Sequence, residues 1–316
     1  MPPAQNFQQK AMELLKLDLD LTQEHDRFRL AVSGVNWALG RLLKRESRKR
    51  GDMEWALWRI PVLRRSETLP NRGRVLWIPG WGDSPSSWLG VLVAAFAGTG
   101  FEEVVVLDFP GFHGSLAHRR CITEMDRILE VARDTLQELR PEVLGGHSLG
   151  GWLAAWAVLH ADSRTPSPDR LILMAPSGVT GGEQDREIWR HEFKSWREST
   201  PEEYVSKLFG RIPPQLTNLV KGFAESLIPF MRREDTVEFL NSVKEHHFLE
   251  KKLEKVSSNV SLLWGGRDGV VPERFATHWV SKLPSVRYER WKEVGHMPHL
   301  EAPVRLARWI RSAALQ

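Results

Sequence analysis

Cysteine is nearly missing from this sequence, since Cys121 is the only one in 316 residues. A lone cysteine cannot close an intramolecular disulfide, which excludes a disulfide scaffold and favours a reducing, cytoplasmic location. An excess of one charge is also lacking: 44 Lys and Arg stand against 40 Asp and Glu, for a net charge of +4. That excess is too small to indicate a nucleic-acid-binding protein. The first ten residues lack a basic start followed by an apolar run, so no secretory signal is predicted.

Long hydrophobic runs of the membrane-spanning kind are missing too. The stretches Ser84–Phe101 and Val143–Ala161 carry no charge, but they contain Gly, Ser or His residues that suit a soluble core better than a bilayer. No Gly-x-Gly-x-x-Gly string follows a predicted strand, and no Gly-Lys-Ser/Thr loop is present. The sequence therefore predicts no cofactor of the dinucleotide or ATP type.

Residues 1–50 read as a helical N-terminal extension. Apolar residues recur at helical spacing in Ala11–Leu19 and Phe28–Leu43, and a basic cluster follows at Arg41, Lys44, Arg45, Arg48, Lys49 and Arg50. One interpretation is a helix packed on the body of the protein with its basic end in solvent. The other is an amphipathic segment that makes weak contact with an anionic membrane surface.

After residue 50, short apolar runs alternate with amphipathic helical patterns. The runs predicted as strands are Trp55–Leu63, Arg74–Pro79, Glu103–Asp108, Glu142–Gly145, Arg170–Met174, Val260–Trp264 and Arg287–Trp291. Continuously apolar strands between helices are typical of a mostly parallel sheet covered by helices on both faces. We therefore predict an α/β fold whose core comprises residues 51–178 and 257–316.

The alternation stops over residues 179–256, where only helical patterns occur. We interpret this segment as a helical cap inserted over one end of the sheet. It supplies several aromatic residues, and together they favour an apolar acyl or aromatic substrate over a sugar or a phosphate ester. These residues are Trp189, Phe193, Trp196, Phe209, Phe223 and Phe230.

The strongest chemical signal is the string Gly146–Gly151, with Ser148 at its centre. It follows an apolar run and leads directly into a helical pattern, as in the sharp strand-to-helix turn, the nucleophile elbow, that exposes a serine hydroxyl. The flanking glycines suit such a turn because larger side chains would clash with the adjacent elements. Ser148 is therefore the candidate nucleophile.

A nucleophilic serine needs a base and an acid that orients the base, both from later in the chain. Asp268 follows the predicted strand Val260–Trp264, and His296 follows the last predicted strand. Both positions fit the ends of later strands, so Asp268 and His296 complete the candidate catalytic triad. The oxyanion hole is assigned to the backbone N–H groups of Trp81 and Leu149. Gly80, Trp81 and Met297 are the candidate substrate-binding residues.

The chain resembles the α/β-hydrolase family, and its capped members in particular, over residues 52–316. The resemblance is carried by Pro-Gly-Trp-Gly at 79–82, Asp-Phe-Pro-Gly-Phe-His-Gly-Ser at 108–115, Gly-His-Ser-Leu-Gly-Gly at 146–151, Gly-Arg-Asp-Gly-Val-Val-Pro at 266–272 and Gly-His-Met-Pro-His-Leu-Glu-Ala-Pro at 295–303. It implies the same catalytic roles for Ser148, Asp268 and His296, and the same oxyanion donors. Pro79 departs from the histidine of many relatives, and a serine at 148 disfavours dehalogenase and epoxide hydrolase chemistry.

The expected activity is that of a lipase-like carboxylesterase acting on a small-molecule ester through an acyl-enzyme. Alternatives are a C–C bond hydrolase of vinylogous diketones, an acyltransferase, or a non-catalytic binding module on a hydrolase scaffold. No metal is expected at the His296 and His299 pair, since no third ligand is near it in sequence. His147 is expected to pack away from the substrate, and His246-His247 to lie in solvent. The acyl chain length, the alcohol and the oligomeric state are not predicted.

Overall fold

The computed structural model describes residues 43–62, 71–110, 122–212 and 217–316. The helices expected before residue 43 lie outside these ranges, as do Cys121 and residues 111–115 of the Asp108–Ser115 motif. The side chains of Phe193 and Phe223 are also outside the described part of the chain.

Eight strands form one mostly parallel sheet in the order β1-β2-β4-β3-β5-β6-β7-β8. β2 is antiparallel to both of its neighbours, and all pairs from β4 to β8 are parallel. The predicted fold class is therefore confirmed. The strands are β1 Lys44–Arg50, β2 Met53–Pro61, β3 Val75–Ile78, β4 Glu103–Asp108, β5 Val143–His147, β6 Arg170–Met174, β7 Asn259–Gly265 and β8 Val286–Trp291.

The prediction of helix up to residue 50 is wrong for Lys44–Arg50, which forms the edge strand β1. Its residues pair along the whole length of β2, after a tight turn in which Gly51 adopts a φ of 59°. The basic side chains here are not all solvated, because Arg48 and Arg50 form ion pairs with Glu138 and Asp134 of the neighbouring helix. The predicted boundary between extension and core thus falls inside a β-hairpin.

Helices cover both faces of the sheet because successive strand residues point to opposite sides. In β3, Val75 and Trp77 join one buried apolar cluster, whereas Leu76 and Ile78 join the other. The helices of the core are α1 Pro85–Phe96, α2 Met125–Leu139, α3 Leu149–Leu159, α8 Ala276–Lys282, α9 Pro298–Glu301 and α10 Pro303–Leu315. This layering brings the carboxyl ends of the central strands to one edge, where ligands of open α/β sheets bind.

A helical insertion joins β6 to β7. It contains α4 Glu183–Ser195, α5 Pro201–Leu208, α6 Thr217–Met231 and α7 Glu234–Ser242, with 3₁₀ turns at Trp196–Glu198, Glu245–His247 and Leu253–Lys255. A further 3₁₀ turn, Glu273–Phe275, precedes α8. Among the described residues, every helix is too short or too polar to cross a bilayer.

Candidate active site

Ser148 occupies the turn between β5 and α3. Its backbone has φ 54° and ψ −120°, a strained conformation for a residue with a side chain. The turn is held by hydrogen bonds from the Ser148 N–H to the Met174 carbonyl, 2.9 Å, and from the Ser177 N–H to the Ser148 carbonyl, 3.1 Å. Glycine is required beside it, since a Cβ at Gly146 would lie 2.3 Å from the carbonyl oxygen of Gly150. The sequence Gly-x-Ser-x-Gly therefore forms the predicted elbow geometry.

Asp268 and His296 meet at the carboxyl ends of β7 and β8. His296 Nδ1 lies 2.7 Å from Asp268 Oδ2, and both side chains are buried. The other carboxylate oxygen accepts the backbone N–H groups of Val270 at 2.8 Å and Val271 at 2.9 Å. Because a carboxylate only accepts, it assigns the proton to Nδ1 of His296 and leaves a lone pair on Nε2.

The candidate oxyanion donors lie on either side of Ser148. Trp81 belongs to a tight turn closed by a hydrogen bond from the Asp83 N–H to the Gly80 carbonyl, 3.2 Å, with Gly82 at φ 73°. Leu149 is the first residue of α3, where backbone N–H groups have no partner inside the helix. A Cβ at Gly80 would lie 3.3 Å from Ser148 Cβ, which shows how closely this turn approaches the serine.

Gly80, Trp81, Ser148 and His296 border a cavity of about 60 Å³. The core contributes its polar wall, and the insertion contributes an apolar wall of Trp, Tyr, Leu, Phe and Met side chains. Of the predicted site residues, Gly80, Trp81, Ser148, His296 and Met297 all line it, whereas Asp268 and Leu149 are not among the lining residues. The full lining is Gly80, Trp81, Gly82, Asp83, His147, Ser148, Trp196, Tyr204, Leu208, Leu227, Phe230, Met231, Val270, His296 and Met297.

A model of the alpha/beta hydrolase family matches residues 75–309, which is most of the chain. The chain belongs to the α/β hydrolase family. A biotin biosynthesis bifunctional protein of Teredinibacter turnerae is similar at 24% identity over 264 residues. That match covers 77% of this chain and 45% of the relative, so this α/β hydrolase spans about half the length of the curated relative it matches.

Solved structures share the fold at low identity. A membrane phospholipase A described as a bacterial virulence factor has a TM-score of 0.67 at 21% identity, over 98% of this chain and 97% of that one. An esterase of Exiguobacterium antarcticum has a TM-score of 0.65 at 16% identity, over 84% and 96%. A carboxylesterase of Bacillus subtilis has a TM-score of 0.62 at 17% identity, over 90% and 96%. At such identities the likeness shows the α/β-hydrolase fold.

His147 has more contact with the site than the expected packing role implies. It lines the cavity, and its Nε2 donates a hydrogen bond to the main-chain carbonyl of His296 at 2.7 Å. Burial lowers the pKa of His147 well below its ordinary 6.5, so the ring is neutral near pH 7. A neutral ring with its proton on Nε2 fixes the loop that carries His296 without adding charge beside it.

A buried group of Asp83, His147 and His299 lies behind the turn at Trp81. Asp83 and His147 are far from His299 in sequence, so sequence spacing does not indicate them as possible metal ligands beside it. However, Asp83 already accepts hydrogen bonds from the Ser84 N–H, the Ser87 hydroxyl and the Trp88 indole. The His299 ring stacks on Trp88 with 4.1 Å between centroids. These contacts suit a packed support for the Trp81 turn, and the absence of a metal remains a prediction.

A second group, Asp126, His246 and His247, joins α2 to the insertion. The expectation of two solvated histidines is wrong for His247, which is fully buried. Its Nδ1 accepts the Lys244 N–H at 2.9 Å, so its Nε2 carries the proton and donates to Asp126 at 2.9 Å. A metal ion at Nε2 would have to displace that proton, and the hydrogen bonds therefore favour a structural link.

Sequence reasoning missed most of the apolar wall. Tyr204, Leu208, Leu227, Met231 and Val270 line the cavity. Four of them lie in the insertion helices, where apolar residues recur at ordinary helical spacing and nothing marks which face meets the active site. Trp196 and Phe230, which the sequence did single out as cap aromatics, also line the cavity.

Proposed function

We propose that this α/β hydrolase is a serine esterase that cleaves carboxylic esters with an apolar acyl or aromatic group. The observation that carries the proposal is the contact between His296 Nδ1 and Asp268 Oδ2, with His296 lining the same cavity as the strained Ser148. Three proteins of similar structure are a phospholipase, an esterase and a carboxylesterase, which supports ester cleavage.

In the first half of the proposed reaction, Ser148 Oγ attacks the ester carbonyl carbon while His296 Nε2 takes the hydroxyl proton. The carbonyl π electrons move to oxygen, and the backbone N–H groups of Trp81 and Leu149 stabilise the resulting oxyanion. One such donor contributes about 10²- to 10³-fold to the rate in comparable enzymes. The tetrahedral intermediate collapses as the C–O bond to the alcohol breaks, and His296 returns its proton to the leaving oxygen.

In the second half, water takes the place of the alcohol. His296 Nε2 removes a proton from water as the hydroxide oxygen bonds to the acyl carbon, and the same two N–H groups hold the new oxyanion. Breaking the bond to Ser148 Oγ releases the acid, and His296 protonates the serine. Asp268 remains ionised throughout and holds the imidazole in one orientation.

In this proposal, the side chains of the two cavity walls determine which substrates bind. Gly80, Trp81 and Met297 would contact the reacting end of the ester, and the apolar side chains of the insertion would contact the acyl or aromatic group. Residues 179–256 would then act as a cap over a core formed by residues 51–178 and 257–316.

The test is labelling with a fluorophosphonate probe, followed by an ester panel with acyl groups from acetyl to dodecanoyl. Ser148→Ala is expected to abolish labelling and to lower kcat by about 10⁶-fold, as loss of a triad nucleophile does elsewhere. Ser206→Ala is the matched control, because Ser206 is exposed on α5 and its hydroxyl donates to the Glu203 carbonyl of the same helix.

The outcomes separate the competing activities. Labelling that survives Ser148→Ala would overturn the assignment of the nucleophile. Turnover of a vinylogous diketone in preference to every ester would select C–C bond hydrolysis. A folded wild-type protein that neither labels nor turns over any ester would contradict the proposal and favour a binding module.

A further inference from the structure

We infer that Glu301 is a positioning residue that fastens residues Lys207–Gly210, here called the strap, to the loop that carries His296. The inference rests on the proposed function, since it assigns the strap a role in aligning the catalytic base. The insertion would then be part of the scaffold of the triad as well as a wall of the cavity.

The strap bonds directly to both loops of the His296–Asp268 pair. The main-chain N–H of His296 donates to the Leu208 carbonyl at 2.8 Å, and the N–H of Gly269, next to Asp268, donates to the Lys207 carbonyl at 3.0 Å. These carbonyls belong to the last turn of α5, which leaves them free to accept bonds from outside the helix. The backbone of the insertion therefore fixes the positions of the loops that carry His296 and Asp268.

Glu301 closes this junction from the opposite side. Its Oε2 accepts the N–H of Gly210 at 2.9 Å, and its Oε1 accepts the N–H of Gly295, beside His296, at 2.9 Å. The side chain is buried, with 7% of its surface exposed. One carboxyl group thus bridges a strap residue and a catalytic-loop residue that have no peptide connection nearby.

The two bridged residues must be glycines for the backbones to come this close. A Cβ at Gly210 would lie 2.4 Å from the Glu293 carbonyl oxygen, and a Cβ at Gly295 would lie 2.5 Å from the Gly210 nitrogen. Burial raises the pKa of Glu301 to about 7, while backbone N–H groups, those of Gly210 and Gly295 first, oppose the rise. Either protonation state leaves a lone pair on both oxygens, so each can accept its N–H.

The first test needs no substitution. Native-state hydrogen exchange of the wild-type protein should show the amides of Gly210, Gly295 and His296 opening together, within a factor of about 3 of one another. Exchange of the Gly210 amide more than about 100-fold faster than that of His296 would overturn the inference, because the strap would then open without the catalytic loop.

The second test is Glu301→Gln, in which the amide nitrogen cannot accept, so the backbone N–H groups that bond to that atom lose their partner. We expect kcat and the rate of fluorophosphonate labelling to fall about 10- to 100-fold, as for a displaced catalytic group, with KM within about 3-fold and complete final labelling. The exposed carboxylate variant Glu254→Gln is the control for loss of an acidic group.

Gly210→Ala perturbs the same junction from the strap. It should reproduce the loss in kcat while Glu301 itself is not substituted. Glu301→Gln with unchanged kcat in a protein that labels normally would overturn the inference while leaving the proposed function intact. A wild-type protein that does not label would contradict the proposed function instead, and the exchange experiment would still show whether the strap and the loop of His296 open together.

Discussion

Each oxygen of the Asp268 carboxylate has its own hydrogen-bond partners, and these determine how an asparagine would be oriented at this position. Its Oδ1 accepts the N–H groups of Val270 and Val271, so in Asp268→Asn the amide oxygen should stay there and the amide NH₂ should face His296 Nδ1. The imidazole would then carry its proton on Nε2, where a base needs a lone pair. We expect kcat for ester hydrolysis to fall about 10⁴-fold with little change in folding.

Steady-state kinetics with a thermal melt checks this prediction. A control is Asp162→Asn, because Asp162 lies on the surface and pairs with Arg164. If Asp268→Asn kept a rate within about 10-fold of the wild type, the tautomer assigned to His296 would be wrong, since the variant leaves Ser148 and the backbone N–H groups of Trp81 and Leu149 in place.

Among single residues, the sequence indicates those that follow a strand and does not indicate those that act through contacts with distant residues. Ser148, Asp268 and His296 can be named because each follows a short apolar run at a strand end, and parallel strands end at one edge. Glu301 and His147 cannot be recognised in the same way. Their roles come from contacts with Gly210 and with the His296 carbonyl, which are far away in sequence.

Among the elements, helix α6 contributes Leu227, Phe230 and Met231 to the apolar wall of the cavity. Phe230 of α6 packs edge-on against Trp81, with 5.4 Å between ring centroids, and lines the cavity. Phe230→Ala should enlarge the cavity and shift preference toward longer acyl chains. We expect the ratio of kcat/KM for octanoyl over acetyl esters to rise about 10-fold or more, the value of one or more added methylene contacts.

Phe239→Ala is the matched control for that experiment. Phe239 of α7 also packs against Trp81, with centroids 5.5 Å apart, but it is absent from the cavity lining. Both variants should lose stability by about 3 kcal/mol, as buried Phe→Ala changes do. An equal shift in chain-length preference in both would mean that Trp81, not the cavity volume, sets the preference.

Elements were predicted best where one pattern has one structural solution. Glu103–Asp108 and Arg170–Met174 were predicted with the bounds observed for β4 and β6, because a short, continuously apolar run inside an α/β alternation is a buried strand. Lys44–Arg50 has no apolar residue, so its strand depends on the adjacent edge of β2. Pairing with a neighbouring strand is a tertiary contact, and the local sequence pattern does not predict it.

Buried neutral histidines make the molecule as a whole sensitive to acid. His299 is fully buried; its Nε2 lies 3.4 Å from Asp83 Oδ2 without hydrogen-bond geometry, and burial lowers its pKa from 6.5 to about 4. With a depressed folded pKa, its contribution is present above pH 6.5 and is lost as the pH falls through 4. His299→Phe keeps a ring stacked on Trp88 and removes this titration.

Between pH 7 and pH 5, the free energy of unfolding of His299→Phe should fall by about 2 kcal/mol less than that of the wild type. Denaturant unfolding at both pH values measures the difference, with the exposed residue variant His191→Gln expected to follow the wild type. Glu301, whose folded pKa is raised to about 7, changes the free energy of unfolding with the opposite sign. The pH profile of His299→Phe is therefore compared with that of the wild type, because both contain Glu301. Parallel profiles would contradict the prediction.

The order of strands in the sheet also means that the candidate site is completed only when several strands have paired. Ser148 follows β5 near the centre, whereas Asp268 and His296 follow β7 and β8 at one border. A chain whose β7 and β8 have not yet docked holds a serine without a base, and such a half-built site is chemically silent. Non-local parallel pairing is slow to form. Reactivity toward a phosphonate would therefore appear only once β7 and β8 have docked, and its appearance during refolding would time that step.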